Sequence, residues 1–277
     1  MSLGDYLRLG FVQHALIAAA LVALISGLIG PFVVVRRAAF GVHGTAELSF
    51  TGAAAGLLIA HDPVLGAVLG SLVVAATFAL LGRRERERDS SIGVVLAFGL
   101  GVGVYLLSRY KGYASSATNI LFGQILGVSA DQIWLLVGIA LIVLVALAII
   151  YRPLMFASVD AEVAQARGVR TDLVGLIFLV ALALTVTEAA QIVGTLLVLS
   201  LTITPAAAAG RLSARPVTVT LLSVFFALLA AVGGLLLSLQ SDVKASALIT
   251  TISFGVYVLA RVLSPLALSR ARARASA

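Results

Sequence analysis

Cysteine is absent from the 277 residues, which excludes disulfides and thiolate metal sites and leaves nitrogen and oxygen as the ligands for any metal. Charge is scarce, at 11% of residues against about 25% in an average soluble domain. Lysine occurs only as Lys111 and Lys244, followed by Gly112 and Ala245. Neither completes G-x-x-x-x-G-K-[ST], so there is no phosphate-binding loop of that kind. The histidines, His14, His43 and His61, are scattered; no H-E-x-x-H results, and no G-x-S-x-G nucleophile elbow occurs either. The chain is therefore not read as an enzyme. If it takes part in ATP-driven transport, another chain hydrolyses the ATP.

What the sequence does have is apolar length. Hydrophobic residues make up 61%, above the roughly 45–50% of soluble domains. Runs of the length needed to span a bilayer core recur throughout. The fold class expected is an all-α polytopic membrane protein, a single transmembrane domain over residues 1–277 with no soluble domain. The first run, FVQHALIAAALVALISGLIGPFVVV, is too long for a signal-peptide core and lacks a cleavage site, so it is read as retained. Hydropathy predicts nine spans, at about 11–35, 43–60, 64–82, 91–108, 132–151, 171–188, 191–210, 217–239 and 245–263.

The net charge of +7 is assigned to topology, not to nucleic acid. With the N-terminus outside and the C-terminus cytoplasmic, 15 of the 19 basic residues fall on the inner side, leaving Arg8, Arg109, Lys111 and Lys244 outside. The RRERER run at 83–88 is read as a solvated extension of the third span, and 265–277 as a basic cytoplasmic tail. Between the fourth and fifth spans a short interfacial helix is expected near 116–127, on the outer side. Between the fifth and sixth, SVDAEVAQARGVRTD predicts a short cytosolic helix, capped by Asp160 and ended by Gly168. It is a connector or a docking knob.

Ionisable residues inside a span cost about 2.5–3.5 kcal/mol at the helix centre on insertion scales and mark a pathway by default. His43 and Glu47 in VHGTAELSFTGAAAG stand at i and i+4, which places their Cβ atoms about 5–6 Å apart on one helix face. Two such side chains can share one ion, and the small residues after them allow close packing beside a cavity. The plainer alternatives are a simple His–Glu hydrogen bond or a wet interfacial pair. Glu188 and Gln191 are placed at the turn from the sixth to the seventh span, where Glu188 is solvated or lines a cavity. Asp242 is read as an exposed turn acid, with a role at the outer mouth as the alternative, and His14 and His61 as interface residues. Pro205 is expected to break or kink the seventh span.

Two blocks carry a family likeness. RRAAFGVHGTAELSFTGAAAG at 36–56 resembles the basic pair, G-(D or H)-A-L-S-H motif and small-residue helix of bacterial ATP-binding-cassette permeases for zinc, manganese and related metals. QIVGTLLVLSLTITPAAAA at 191–209 is similar to their V-V-G-x-L-L-V…P-A-A-x-A motif. LFGQILGV at 121–128 and the turn with Asp242 also resemble family counterparts.

The likeness implies a homodimeric permease in the bacterial cytoplasmic membrane with the architecture of type II importers. Two cytoplasmic ATPase subunits would drive it and an extracytoplasmic metal-binding protein would feed it. A divalent ion (zinc, manganese or iron) would be cargo, with no permanently bound cofactor. On that reading His43 and Glu47 lie in the transport path, with Glu188 and Asp242 as further candidates. The helix at about 159–168 becomes the coupling helix, with Asp160, Glu162, Val163, Gln165, Arg167 and Gly168 at the ATPase. The chain departs from the motif at Val42, at Gly44-Thr45, and at Glu47, where a second histidine is usual. A carboxylate in place of an imidazole shifts preference from zinc toward harder ions such as manganese or iron. Two other readings make different demands on the chain. A permease for metal chelates predicts a wide uncharged cavity without paired ligands. A stand-alone ion-coupled carrier predicts internal repeats with paired broken helices.

Overall fold

A computed structural model describes residues 6–81, 85–110, 123–195, 198–241 and 243–275. Among them the regular structure is entirely helical: α1 Gly10–Val35, α2 Ala39–Ile59, α3 Pro63–Leu81, α4 Glu85–Arg109, a 3-10 turn Ile125–Gly127, α5 Ala130–Val159, α6 Ala161–Ala166, α7 Thr171–Val193, α8 Val198–Thr202, α9 Thr204–Leu212, α10 Pro216–Ser238 and α11 Ala245–Ala275. By length and composition α1, α5, α7, α10 and the first 20 residues of α11 are able to cross a membrane. Pro63–Ala79, Gly93–Arg109 and Val198–Leu212 are shorter apolar stretches.

The helices α1 and α7 form the centre, each with 67% of its most apolar window buried, against 22% for α11. Alanines let α1 sit there, because Ala15, Ala18, Ala19 and Ala23 admit neighbours closely around Ile25, Ile29 and Phe32, all fully buried. On one side α10 crosses α1, and a Cβ at Gly27 would fall 2.6 Å from the Val224 Cα. On the other, α2 and α3 pack backbone against backbone. Gly52 and Gly56 of α2 face Gly66 and Gly70 of α3, so that a Cβ on Gly56 would lie 2.7 Å from the Gly66 Cα and one on Gly70 2.8 Å from the Gly52 Cα. Two small-xxx-small rows thus meet backbone to backbone, as membrane helices do where lipid removes any hydrophobic drive for association.

The expected spans and the helices differ in four places. The fifth helix does not stop at residue 151; α5 continues through Pro153 to Val159. Glu85–Arg88 open α4 and do not extend α3. The expected interfacial helix lies mostly in 111–122, outside the described residues, and its described end is only the turn Ile125–Gly127. Most consequentially, the expected 171–188 and 191–210 are redistributed. The sixth helix runs on to Val193 and ends at Gly194 with φ 97°, while the stretch after it is split into α8 and α9. At five and nine residues these reach only about 8 and 14 Å, too short to cross alone. Pro205 opens α9, where its missing N–H costs nothing.

Candidate functional site

The His43–Glu47 pair lies in the first half of α2, which begins four residues before His43. Glu47 is 8% exposed and His43 is half-buried. Thr51 continues the same stripe one turn on, and its hydroxyl donates to the Gly99 carbonyl of α4 at 2.7 Å. The cavity found beside α2 is lined by Ser49, Phe50, Ala53 and Leu57, a face rotated away from the stripe because successive helical residues turn by about 100°. Nor does a third ligand join the pair. Among the described residues no three of His, Asp or Glu come together as a metal-binding group.

The cavity has a volume of about 220 Å³. It sits at the end of the bundle opposite α6, between the second half of α2, the start of α3, the first turns of α5 and the end of α7. Its polar lining is Ser49, Gln124, Gln132, Thr187, Gln191 and Thr195, with no charged side chain among the described residues. The 123–127 turn closes one side, held by the Gln124 N–H donating to the Gln191 carbonyl at 3.2 Å. Gly123 and Gly194 meet there so closely that a Cβ on Gly123 would be 2.6 Å from the Gly194 nitrogen. Of the cavity's polar residues, Ser49 and Gln191 stand in the sequence beside the candidate acids Glu47 and Glu188. Gln124, Gln132 and Thr195 are brought together only by the fold.

The solvated alternative for Glu188 is overturned, since α7 carries it as a fully buried residue at 0% exposure. Neither carboxylate oxygen has a hydrogen-bond partner among the described residues. Such a group carries its whole desolvation cost uncompensated. Gly194 was the available signal for this longer helix, since glycine after an apolar helical run commonly ends it. Glu188 does not line the cavity, although Thr187 and Gln191 beside it do. Asp242 lies outside the described residues. His14 is half-buried near the start of α1 and His61 is exposed between α2 and α3.

At the far end, α6 follows α5 after a single residue. Asp160 accepts the Val163 N–H at 2.9 Å, the side-chain cap expected of it. The helix ends as expected at Gly168, φ 86°, through Gly168 N–H to the Gln165 carbonyl at 2.9 Å and Val169 N–H to the Ala164 carbonyl at 3.0 Å. This is the Schellman pair of bonds. Ala164 is fully buried and plugs the knob into the bundle, while Glu162, Val163, Gln165 and Arg167 are exposed.

Comparison with known proteins gives this arrangement its context. An uncharacterized membrane protein of Synechocystis sp. is 35% identical over 74% of this chain and 73% of its own. The manganese transport system membrane protein MntC of Halalkalibacterium halodurans is 30% identical over 94% of this chain and 89% of its own. Among solved structures, PsaBC from Streptococcus pneumoniae in complex with Fab superposes with a TM-score of 0.84 at 27% identity, covering 93% of this chain and 94% of that one. The model of the ABC 3 transport family matches residues 8–264, nearly the whole chain, and the protein is a member of that family.

Proposed function

We propose that the chain is the transmembrane permease subunit of an ATP-driven importer for a divalent metal ion, with manganese favoured over zinc. The observation that carries this reading is the buried Glu47 one turn from His43 in a helix of a transport-family chain. An intramembrane carboxylate and imidazole at that spacing form half a ligand set. The remaining ligands come from water, from hydroxyls or from the same pair in a second copy, consistent with a homodimer. The manganese named for MntC fits a site in which a carboxylate replaces one imidazole. On this reading α8 and α9 form one interrupted crossing, the nine crossings start from an outside N-terminus, and α6 lies in the cytoplasm. There its exposed Glu162, Val163, Gln165 and Arg167 meet a separate ATPase, and the opposite end receives metal from an extracytoplasmic binding protein.

The chelate reading asked for a wide uncharged cavity. The cavity is uncharged, yet at about 220 Å³ it is below the roughly 300–1,000 Å³ of sites for drug-sized ligands. The test is manganese uptake in cells that carry this transporter as their only importer. His43→Ala and Glu47→Ala are expected to abolish uptake while the chain remains in the membrane. Wild-type uptake in both variants refutes the assignment. Loss of ATPase co-purification on Glu162→Arg tests the coupling role separately.

A further inference from the structure

The end of the bundle that carries α6 also gathers positive charge. The α7 helix ends at the cavity, so α8 and α9 lead back toward α6, and the Tyr151 hydroxyl of α5 meets the Thr220 hydroxyl of α10 there at 3.4 Å. Arg211 lies in the last turn of α9, and Tyr257 and Arg261 stand one turn apart on α11. Both guanidiniums hydrogen-bond the Tyr257 hydroxyl. Among the described residues no carboxylate joins this cluster. The sequence around it supplies none either, since the one acid between residues 189 and 277 is Asp242, in the link from α10 to α11. That link is separated from Arg211 by the whole of α10, whose 23 residues span about 34 Å.

Two like charges drawn onto one phenol repel, and an anion that accepts from both relieves them. Guanidinium forks match the oxygens of a phosphate. The phenol, which accepts from the arginines, keeps its own O–H to donate to the same group. Arg211 and Arg261 are exposed and Tyr257 is half-buried, so the cluster is open to a ligand. Its surroundings say which kind. Phe254 and Val258 stand three residues before Tyr257 and Arg261 on the same face of α11 and are 63% and 41% exposed. Both fall in the stretch of α11 apolar enough to cross a membrane. A ligand with a phosphate at the arginines and hydrocarbon along Phe254 is a phospholipid. A headgroup ammonium would bring a third cation to the cluster, which favours lipids that lack one. We propose that Arg211, Tyr257 and Arg261 hold the phosphate of one anionic phospholipid in the leaflet at the α6 end. The lipid ties α9, one half of the interrupted stretch, to α11, whichever ion the chain carries.

The purified full chain, stripped of lipid in detergent, is offered phosphatidylglycerol or phosphatidylcholine with identical acyl chains, and bound lipid is counted by native mass spectrometry. One phosphatidylglycerol per chain is expected, with about tenfold preference over phosphatidylcholine. Arg211→Gln/Arg261→Gln should erase that preference. Arg211→Lys/Arg261→Lys, which keeps the charge and loses the fork, should retain only part of it, and decides the matter if the glutamine pair is not recovered folded. Arg109→Gln is the control, because Arg109 donates to the Tyr105 hydroxyl at 3.0 Å without a second arginine; it should leave the preference intact. No preference in the wild-type chain, a preference unchanged in the paired variants, or an equal loss in Arg109→Gln overturns the proposal. Displacement of the lipid by millimolar inorganic phosphate also overturns it, since the ligand is then the free anion. So does loss of ATPase co-purification in the paired variants with lipid preference unchanged, which assigns the arginines to the ATPase.

Discussion

Replacing Gly66 by alanine tests the packing on which the cavity depends. The added Cβ would run into the Gly52 carbonyl oxygen and lie 2.7 Å from the Gly56 Cα and 2.8 Å from the Gly56 nitrogen. Carbon contacts are optimal at about 3.5–4.0 Å, so α2 and α3 have to part by about 1 Å. Every atom met is backbone, so no side chain can swing aside. Overpacking of this kind costs about 1–3 kcal/mol, partly offset by the roughly 0.5–1 kcal/mol that alanine gains over glycine in a helix. Gly138 of α5 is the control, since a Cβ there meets nothing within 4 Å and Gly138→Ala keeps only the gain. At about 2–4 °C per kcal/mol for a chain of this order of size, thermal unfolding in detergent should place the two variants several degrees apart. Gly66→Ala falls below the wild type and Gly138→Ala rises above it. Equal shifts of the same sign would refute the backbone-to-backbone contact.

Glu188→Met removes an acid with two unpartnered oxygens, and is expected to stabilise the chain by about 1–3 kcal/mol, read as a raised unfolding temperature. A fall would reveal a partner for the carboxylate. If Glu188 also serves the transport path, the same variant loses manganese uptake despite its greater stability, and retained uptake removes it from the path. Asp160→Ala should cost the α6 cap about 0.5–2 kcal/mol and weaken co-purification of the ATPase without changing manganese binding. Gly168→Val, at φ 86°, should do likewise through strain of about 1–3 kcal/mol; unchanged co-purification in both would show that α6 is only a connector.

The sequence was most legible where local chemistry decides. Asp160 and Gly168 bound α6 because a side-chain cap and a left-handed glycine act within four residues, and α1 and α10 follow from uninterrupted apolar length. It was least legible where a neighbour decides. Hydropathy ends the sixth span at Glu188 and puts a turn there, whereas α7 is buried on every side at that point and keeps its helix to Val193. His43 and Glu47 were correctly placed on one helix face, but which face meets the cavity depends on how α2 rolls against α3. That roll is set by Gly52 and Gly56 meeting Gly66 and Gly70, a pairing hydropathy does not encode. The cavity itself joins side chains from α2, the 123–127 turn, α5 and α7, and no short motif records such a meeting.

The hairpin α5–α6–α7 joins the two ends of the molecule mechanically. The α5 helix has 30 residues, about 45 Å of continuous rod. Its first turns carry Gln132 and Leu136 in the cavity wall, and its last residue adjoins the Asp160 cap of the knob. The α7 helix returns from the knob to the same wall at Ala190, Gln191 and Ile192. A rod of that length tilting by about 5° around its middle moves each end by about 2 Å in opposite directions. A displacement of that size at the α6 end of the rod therefore appears at the Gln132 end as well, with no intermediate part required to relay it.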